Sequence, residues 1–120
     1  MSDSRKTQLN DWVNEQLSQL LETDSVDIEL TTVSGDASFR RYFRAKLSEQ
    51  SFIAVDAPPD TENSKLFVEI AGYLREAGIK SPKVFAKNYL DGFLLIEDFG
   101  DRLYLTHLLT LLTGGLDAIS

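Results

Sequence analysis

The chain has 120 residues, 42% hydrophobic and 26% charged, with a formal net charge of −7 and no cysteine. That length suits one domain, 1–120, and the balance is that of an ordinary globular protein. The acidity argues against nucleic acid and anionic membranes as partners; the missing cysteines exclude disulfides and thiolate metal sites, and the single histidine, His107, cannot build a zinc site alone.

The first ten residues, MSDSRKTQLN, are polar and lack the apolar stretch of a signal peptide. No apolar run reaches transmembrane length, so a cytoplasmic location is expected. Residues 6–21 read as an amphipathic helix, with Leu9, Trp12, Val13, Leu17, Leu20 and Leu21 on one stripe and Asp11, Glu15 and Gln19 opposite. Residues 27–34 alternate and carry β-branched side chains, which predicts a strand. A turn at 35–38, GDAS, leads into a second strand at 39–47. Its residues Phe39, Arg41, Phe43, Ala45 and Leu47 face one way, and Tyr42, Arg44 and Lys46 the other. After the turn SEQ at 48–50, residues 51–57 predict a third strand and complete an antiparallel meander.

Pro58 and Pro59 stop that strand because proline cannot donate to a ladder. Asp60 or Thr61 is the expected cap of the next helix, which runs to about Ala77. Leu66, Phe67, Ile70, Ala71 and Leu74 form its apolar face, and Gly78 suits the position just past its end. Residues 82–89 and 93–98 predict two more strands around Asp91-Gly92. A final helical pattern starts at Leu103. The order is helix, three strands, helix, two strands, helix: an α+β arrangement with one helix packed on an antiparallel sheet.

This order resembles the small lobe of the protein-kinase-like fold, a five-stranded antiparallel sheet with one helix between strands 3 and 4, here with added N- and C-terminal helices. Three stretches carry the resemblance further: GDASFRRYFR at 35–44, AVDAPP at 54–59 and GFLLIEDFGD at 92–101. They are similar to one branch of the aminoglycoside/choline phosphotransferase family, the bacterial kinases acting on N-acetylmuramic acid and N-acetylglucosamine in cell-wall recycling. The resemblance spans roughly residues 8–112. It implies the nucleotide-binding lobe of an ATP-dependent small-molecule kinase, with ATP and Mg²⁺ as cofactors and a sugar as substrate.

The triplet Asp98-Phe99-Gly100 has the letters of the kinase metal-binding motif, which follows a catalytic loop carrying an Asp and an Asn. No such loop precedes Asp98, and His107 follows it, as a helical stripe residue. The resemblance instead makes Glu97, Asp98 and Phe99 hinge residues whose backbone reads the adenine edge, with Ile96 as an apolar wall. It puts Gly35, Asp36, Ala37 and Ser38 in the phosphate-covering loop, where backbone N–H groups point at anionic oxygens. Arg40 and Arg41 add positive charge there. Taken alone, this stretch also fits an ordinary hairpin turn.

Asp56 stands where kinases carry the strand lysine of V-A-I-K, so that lysine's phosphate contact falls to another residue, Arg40, Arg41 or Arg44. Asp56 can instead anchor the loop or the Pro-Pro turn. Glu69 lies where kinases place the ion-pairing helix glutamate, and Lys65 offers it an exposed i,i+4 partner. No catalytic or metal-binding residue of the family maps onto this chain. The catalytic lobe is expected to be absent, and the chain alone is expected to be inactive. An alternative is a non-catalytic nucleotide-binding or protein-interaction module. The leucines at 105, 108, 109, 111 and 112 suggest self-association through the last helix.

Overall fold

The computed structural model describes residues 4–23, 26–33, 41–47, 49–60, 63–79 and 81–98. Its elements are α1 (Ser4–Leu20), β1 (Thr31–Thr32), β2 (Arg41–Leu47), β3 (Gln50–Asp56), α2 (Ser64–Glu76), β4 (Val84–Asn88) and β5 (Phe93–Glu97). The expected last helix lies outside the described residues. The strands form one antiparallel sheet in the order β1-β2-β3-β5-β4. This is the five-stranded α+β arrangement that the sequence predicts. Among the described residues, no helix is long and apolar enough to cross a membrane.

The sheet is covered on both faces. Leu9, Val13 and Leu17 of α1 pack with Leu30, Phe43, Ala45, Phe52, Ala54, Phe93 and Leu95. Phe67 and Ala71 of α2 pack with Tyr42, Ile53, Val55, Ala57, Leu94 and Ile96 on the opposite face. Side chains alternate across a strand, so the apolar runs of β3 and β5 feed both cores. The N-terminal helix expected beside the one between strands 3 and 4 is α1, and it makes the second covering layer. Tyr42 is buried under α2, while Leu20, placed on the apolar stripe of α1, is 45% exposed.

Helix α2 shows why sequence signals work. Its cap is Asn63, not Asp60 or Thr61: the Asn63 side chain accepts from Leu66 N–H. That oxygen satisfies one of the orphan donors of the first turn. At the other end Gly78 has φ +84°, donates to the Arg75 carbonyl, and is followed by Ile79, which donates to the Leu74 carbonyl. These two bonds are the Schellman pattern, in which glycine takes the left-handed position without a Cβ penalty.

Strand β1 is far shorter than the 27–34 expected. The segment before it pairs with side chains of α1 instead of a neighbouring strand. Asn14 Oδ1 accepts from Ile28 N–H at 2.9 Å, and Asn10 Oδ1 accepts from Leu30 N–H at 3.1 Å. Both asparagine amides donate to the Ile28 carbonyl at 3.2 Å. Asn10 and Asn14 sit four apart, hence on one helix face, and supply donors and acceptors that a strand would otherwise give.

Candidate functional site

Of the sequence-predicted loop residues, Gly35, Asp36, Ala37, Ser38 and Arg40 lie outside the described residues, as do Phe99 and His107. Arg41, Asp56, Glu69, Ile96, Glu97 and Asp98 are described, and they fall into separate places.

Asp56 ends β3 on the α1 face, with its side chain 1% exposed. Arg5 Nε donates to its Oδ1 at 2.8 Å, and Arg41 Nε donates to its Oδ2 at 2.9 Å. Register explains one partner, because Arg41 and Asp56 face each other across β2 and β3. The other comes from α1, and Arg5 also donates through Nη2 to the Asp91 carbonyl at 2.6 Å. The two guanidiniums lie over Phe93 and Phe43 respectively, at 5.2 and 5.4 Å from the ring centroids. One carboxylate thus ties the N-terminal helix, the start of β2 and the β4–β5 turn together. Arg5 is the partner that sequence reasoning missed. Its distance of 51 residues from Asp56 leaves no local signal.

Asp98 follows β5 on the α2 face, at the other end of the sheet, with a side chain 6% exposed. Arg44 Nε donates to its Oδ2 at 2.9 Å, and the Ser51 hydroxyl donates to the same oxygen. Phe52 faces Glu97 in the ladder, so Ser51 falls opposite Asp98. Glu97, just before it, is held from β4: its N–H donates to the Lys83 carbonyl at 2.8 Å, and its Oε1 accepts from Lys83 N–H at 3.1 Å.

The candidate hinge is therefore anchored from both neighbouring strands. Ile96, on the same face as Asp98, is fully buried in the α2-side core. Arg41 and Ile96 lie on opposite faces of the sheet, whereas Arg44 and Ile96 share one. Glu69 is exposed on α2. Asp56 and Glu69 are thus not brought together. Among the described residues, no three His, Cys, Asp or Glu side chains gather where a metal could bind.

An open groove of about 520 Å³ runs between α1 and the segment before β1, lined by Lys6, Thr7, Asn10, Asp11, Asp27, Ile28 and Glu29. It involves none of the sequence-predicted site residues.

Residues 29–114 match the model of a phosphotransferase enzyme family. The chain is similar to an N-acetylmuramate/N-acetylglucosamine kinase of Pseudomonas aeruginosa, 40% identical over 107 residues, covering 86% of this chain and 32% of the relative. A relative of the same name from Pseudomonas putida is 41% identical over 107 residues, with the same coverage of 86% and 32%. One from Caulobacter vibrioides is 31% identical over 105 residues, covering 65% of this chain and 29% of the relative. The chain thus spans about a third of the length of the curated relatives it matches.

Proposed function

Because the chain belongs to the phosphotransferase enzyme family, we propose that it is the nucleotide-binding lobe of an ATP-dependent sugar kinase acting on N-acetylmuramic acid and N-acetylglucosamine. What carries the reading is the similarity to relatives bearing that name. Glu97, Asp98 and Phe99 form the hinge in this reading, with Ile96 behind it. Gly35, Asp36, Ala37, Ser38 and Arg40 cover the phosphates, while Arg41 is held by Asp56 on the other face of the sheet from Ile96. Asp56 serves as an anchor for Arg5 and Arg41, and Glu69 as a solvated helix residue.

The described geometry bears on how such a lobe works. Phosphoryl transfer rests on positioning and on stabilising charge. Asp98 and Glu97 are fixed by Arg44, Ser51 and Lys83, which holds the hinge backbone in one place relative to the sheet. Ile96 is fully buried, so it meets a base only after covering atoms shift, and that shift weakens binding by the free chain. Mg²⁺ supplies charge neutralisation at the transferring phosphoryl group. The described residues gather no site for it, and its ligands are assigned to a catalytic lobe outside this chain. The whole enzyme is placed in the cytoplasm, where ATP is available. Self-association through residues 103–112 belongs to the same proposal.

The test compares two proteins, each given ATP, Mg²⁺ and either sugar. A longer protein containing this sequence is expected to release ADP and form a sugar phosphate, while the 120-residue chain forms none. Turnover by the chain alone sinks the division into lobes. A longer protein that leaves both sugars untouched sinks the substrate assignment.

A further inference from the structure

Helix α2 starts with more donors than the protein gives acceptors. Of the orphan N–H groups in its first turn, Asn63 Oδ1 takes that of Leu66 at 3.0 Å. Phe67 N–H makes the first bond along the helix, to the Asn63 carbonyl at 3.2 Å. Among the described residues, the N–H groups of Ser64 and Lys65 meet no acceptor. No acidic side chain stands in the first turn, so nothing there balances the positive end of the helix dipole. Lys65 adds an exposed amine, and among the described residues it forms no ion pair with Glu69, the partner that its spacing offers. The last donor is the Ser64 hydroxyl. Ser64 is only 6% exposed, and its Oγ has no hydrogen-bond partner. A buried hydroxyl without a partner is costly. Covalent geometry keeps it roughly 3–4 Å from the nitrogen of its own residue in every rotamer, so it stays at the helix terminus.

β3 and β4 both run antiparallel to β5, and so parallel to each other. Helix α2 therefore carries the chain from the Asp56 end of the sheet back to the Asp98 end, where Lys83 leads into β4. Its N-terminus points to the Asp56 end, on the face that carries Ile96. We propose that this terminus is a binding site for a phosphate group. Ser64 and Lys65 hold it through their N–H groups, the Ser64 hydroxyl and the Lys65 amine. A phosphate brings both the acceptor oxygens and the negative charge that this donor set lacks. Binding turns the hydroxyl toward the ligand and gives it a partner. The phosphate tail of ATP and free phosphate offer the same chemistry. The first source rests on the nucleotide-lobe reading above, in which the base sits at the other end of this face and the tail runs toward α2. The site itself does not rest on it.

The test follows the Ser64 and Lys65 amides of isotope-labelled chain by NMR during titration with sodium phosphate, with sodium chloride at matched ionic strength as the control. Saturable shifts with phosphate and none with chloride are expected. Shifts that track chloride equally, or that appear with neither phosphate nor ATP, overturn the site. Ser64→Ala separates binding from packing. It is expected to raise the urea midpoint, since it removes an unpaired buried hydroxyl. It is also expected to weaken phosphate about fivefold, one modest hydrogen bond's worth. Lys65→Ala is expected to weaken it about threefold. A Ser64→Ala chain that binds phosphate as tightly as the wild type overturns the role of the hydroxyl.

Titration with ATP and with adenosine identifies the source. ATP moving the two amides where adenosine does not assigns the site to the phosphates of the nucleotide. Phosphate moving them where ATP does not assigns it to free phosphate. A chain that binds phosphate and no ATP overturns the nucleotide-lobe reading and leaves the α2 site standing, so the two failures stay distinct.

Discussion

Strand β3 carries a charged anchor near each end, and the two are built differently. At one end Asp56, 1% exposed, serves two guanidiniums, one from α1 and one from β2. At the other, Asp98, 6% exposed, pairs with Arg44 and takes a hydroxyl bond from Ser51. The first anchor spans layers and joins segments 51 and 15 positions apart in sequence. The second stays within the sheet and fixes the exit of β5. Two cations around one buried anion make the Asp56 end the more sensitive to loss of the carboxylate, because both arginines lose this counter-charge at once. Among the described residues, the Asp98 end joins Arg44 with a neutral donor, Ser51, in support. Asp56 organises two arginines, one of them from α1, so charge at that corner serves the packing of α1.

The comparison can be broken experimentally. The largest expected effect is Gly92→Ala, at the Asp56 end. Gly92 has φ +79°, and a Cβ there would lie 2.0 Å from the Ala57 carbonyl oxygen. The left-handed conformation and the overlap together should cost about 3 kcal/mol or more, read as a lowered urea midpoint. Next comes Asp56→Ala, which leaves Arg5 and Arg41 facing a buried gap. Arg5 and Arg41 are 32% and 41% exposed, which tempers the loss to roughly 2–3 kcal/mol. Smallest is Arg44→Ala, expected at about 1–2 kcal/mol because Ser51 still donates to Asp98. Equal losses for Asp56→Ala and Arg44→Ala in the same urea series would erase the distinction between the ends.

Much of this fold was legible because its signals are local. The stripe of α2, its glycine stop, the three hairpin partners and the turn at Asp91-Gly92 all follow from neighbours within a few residues. The covering of both sheet faces was legible in principle, since the apolar runs Ile53-Ala54-Val55 and Phe93-Leu94-Leu95-Ile96 leave no polar face for solvent. Which helix covers which face is a long-range fact, and periodicity does not carry it. The shortened β1 has a similar cause. Ile28 and Leu30 alternate as a strand should, yet their backbone groups are met by Asn10 and Asn14, residues that look like mere polar neighbours of an apolar stripe. The candidate hinge was legible only through resemblance. Nothing in the letters Glu97-Asp98 says that one carboxylate turns to Lys83 and the other to Arg44. The loop at 35–38 and Arg40 lie outside the described residues.

The asparagine pair has a consequence beyond the shape of one strand. β1 is the terminal strand of its sheet, and the open side of such a strand is a template on which another chain can add itself. Here the run leading into β1 has already given Ile28 and Leu30 N–H, and the Ile28 carbonyl, to Asn10 and Asn14. A stranger strand approaching that run finds its hydrogen-bonding row taken. The helix that closes one face of the sheet thus also guards its flank against aggregation, with two amide side chains in place of the prolines or lysines that other sheets post there.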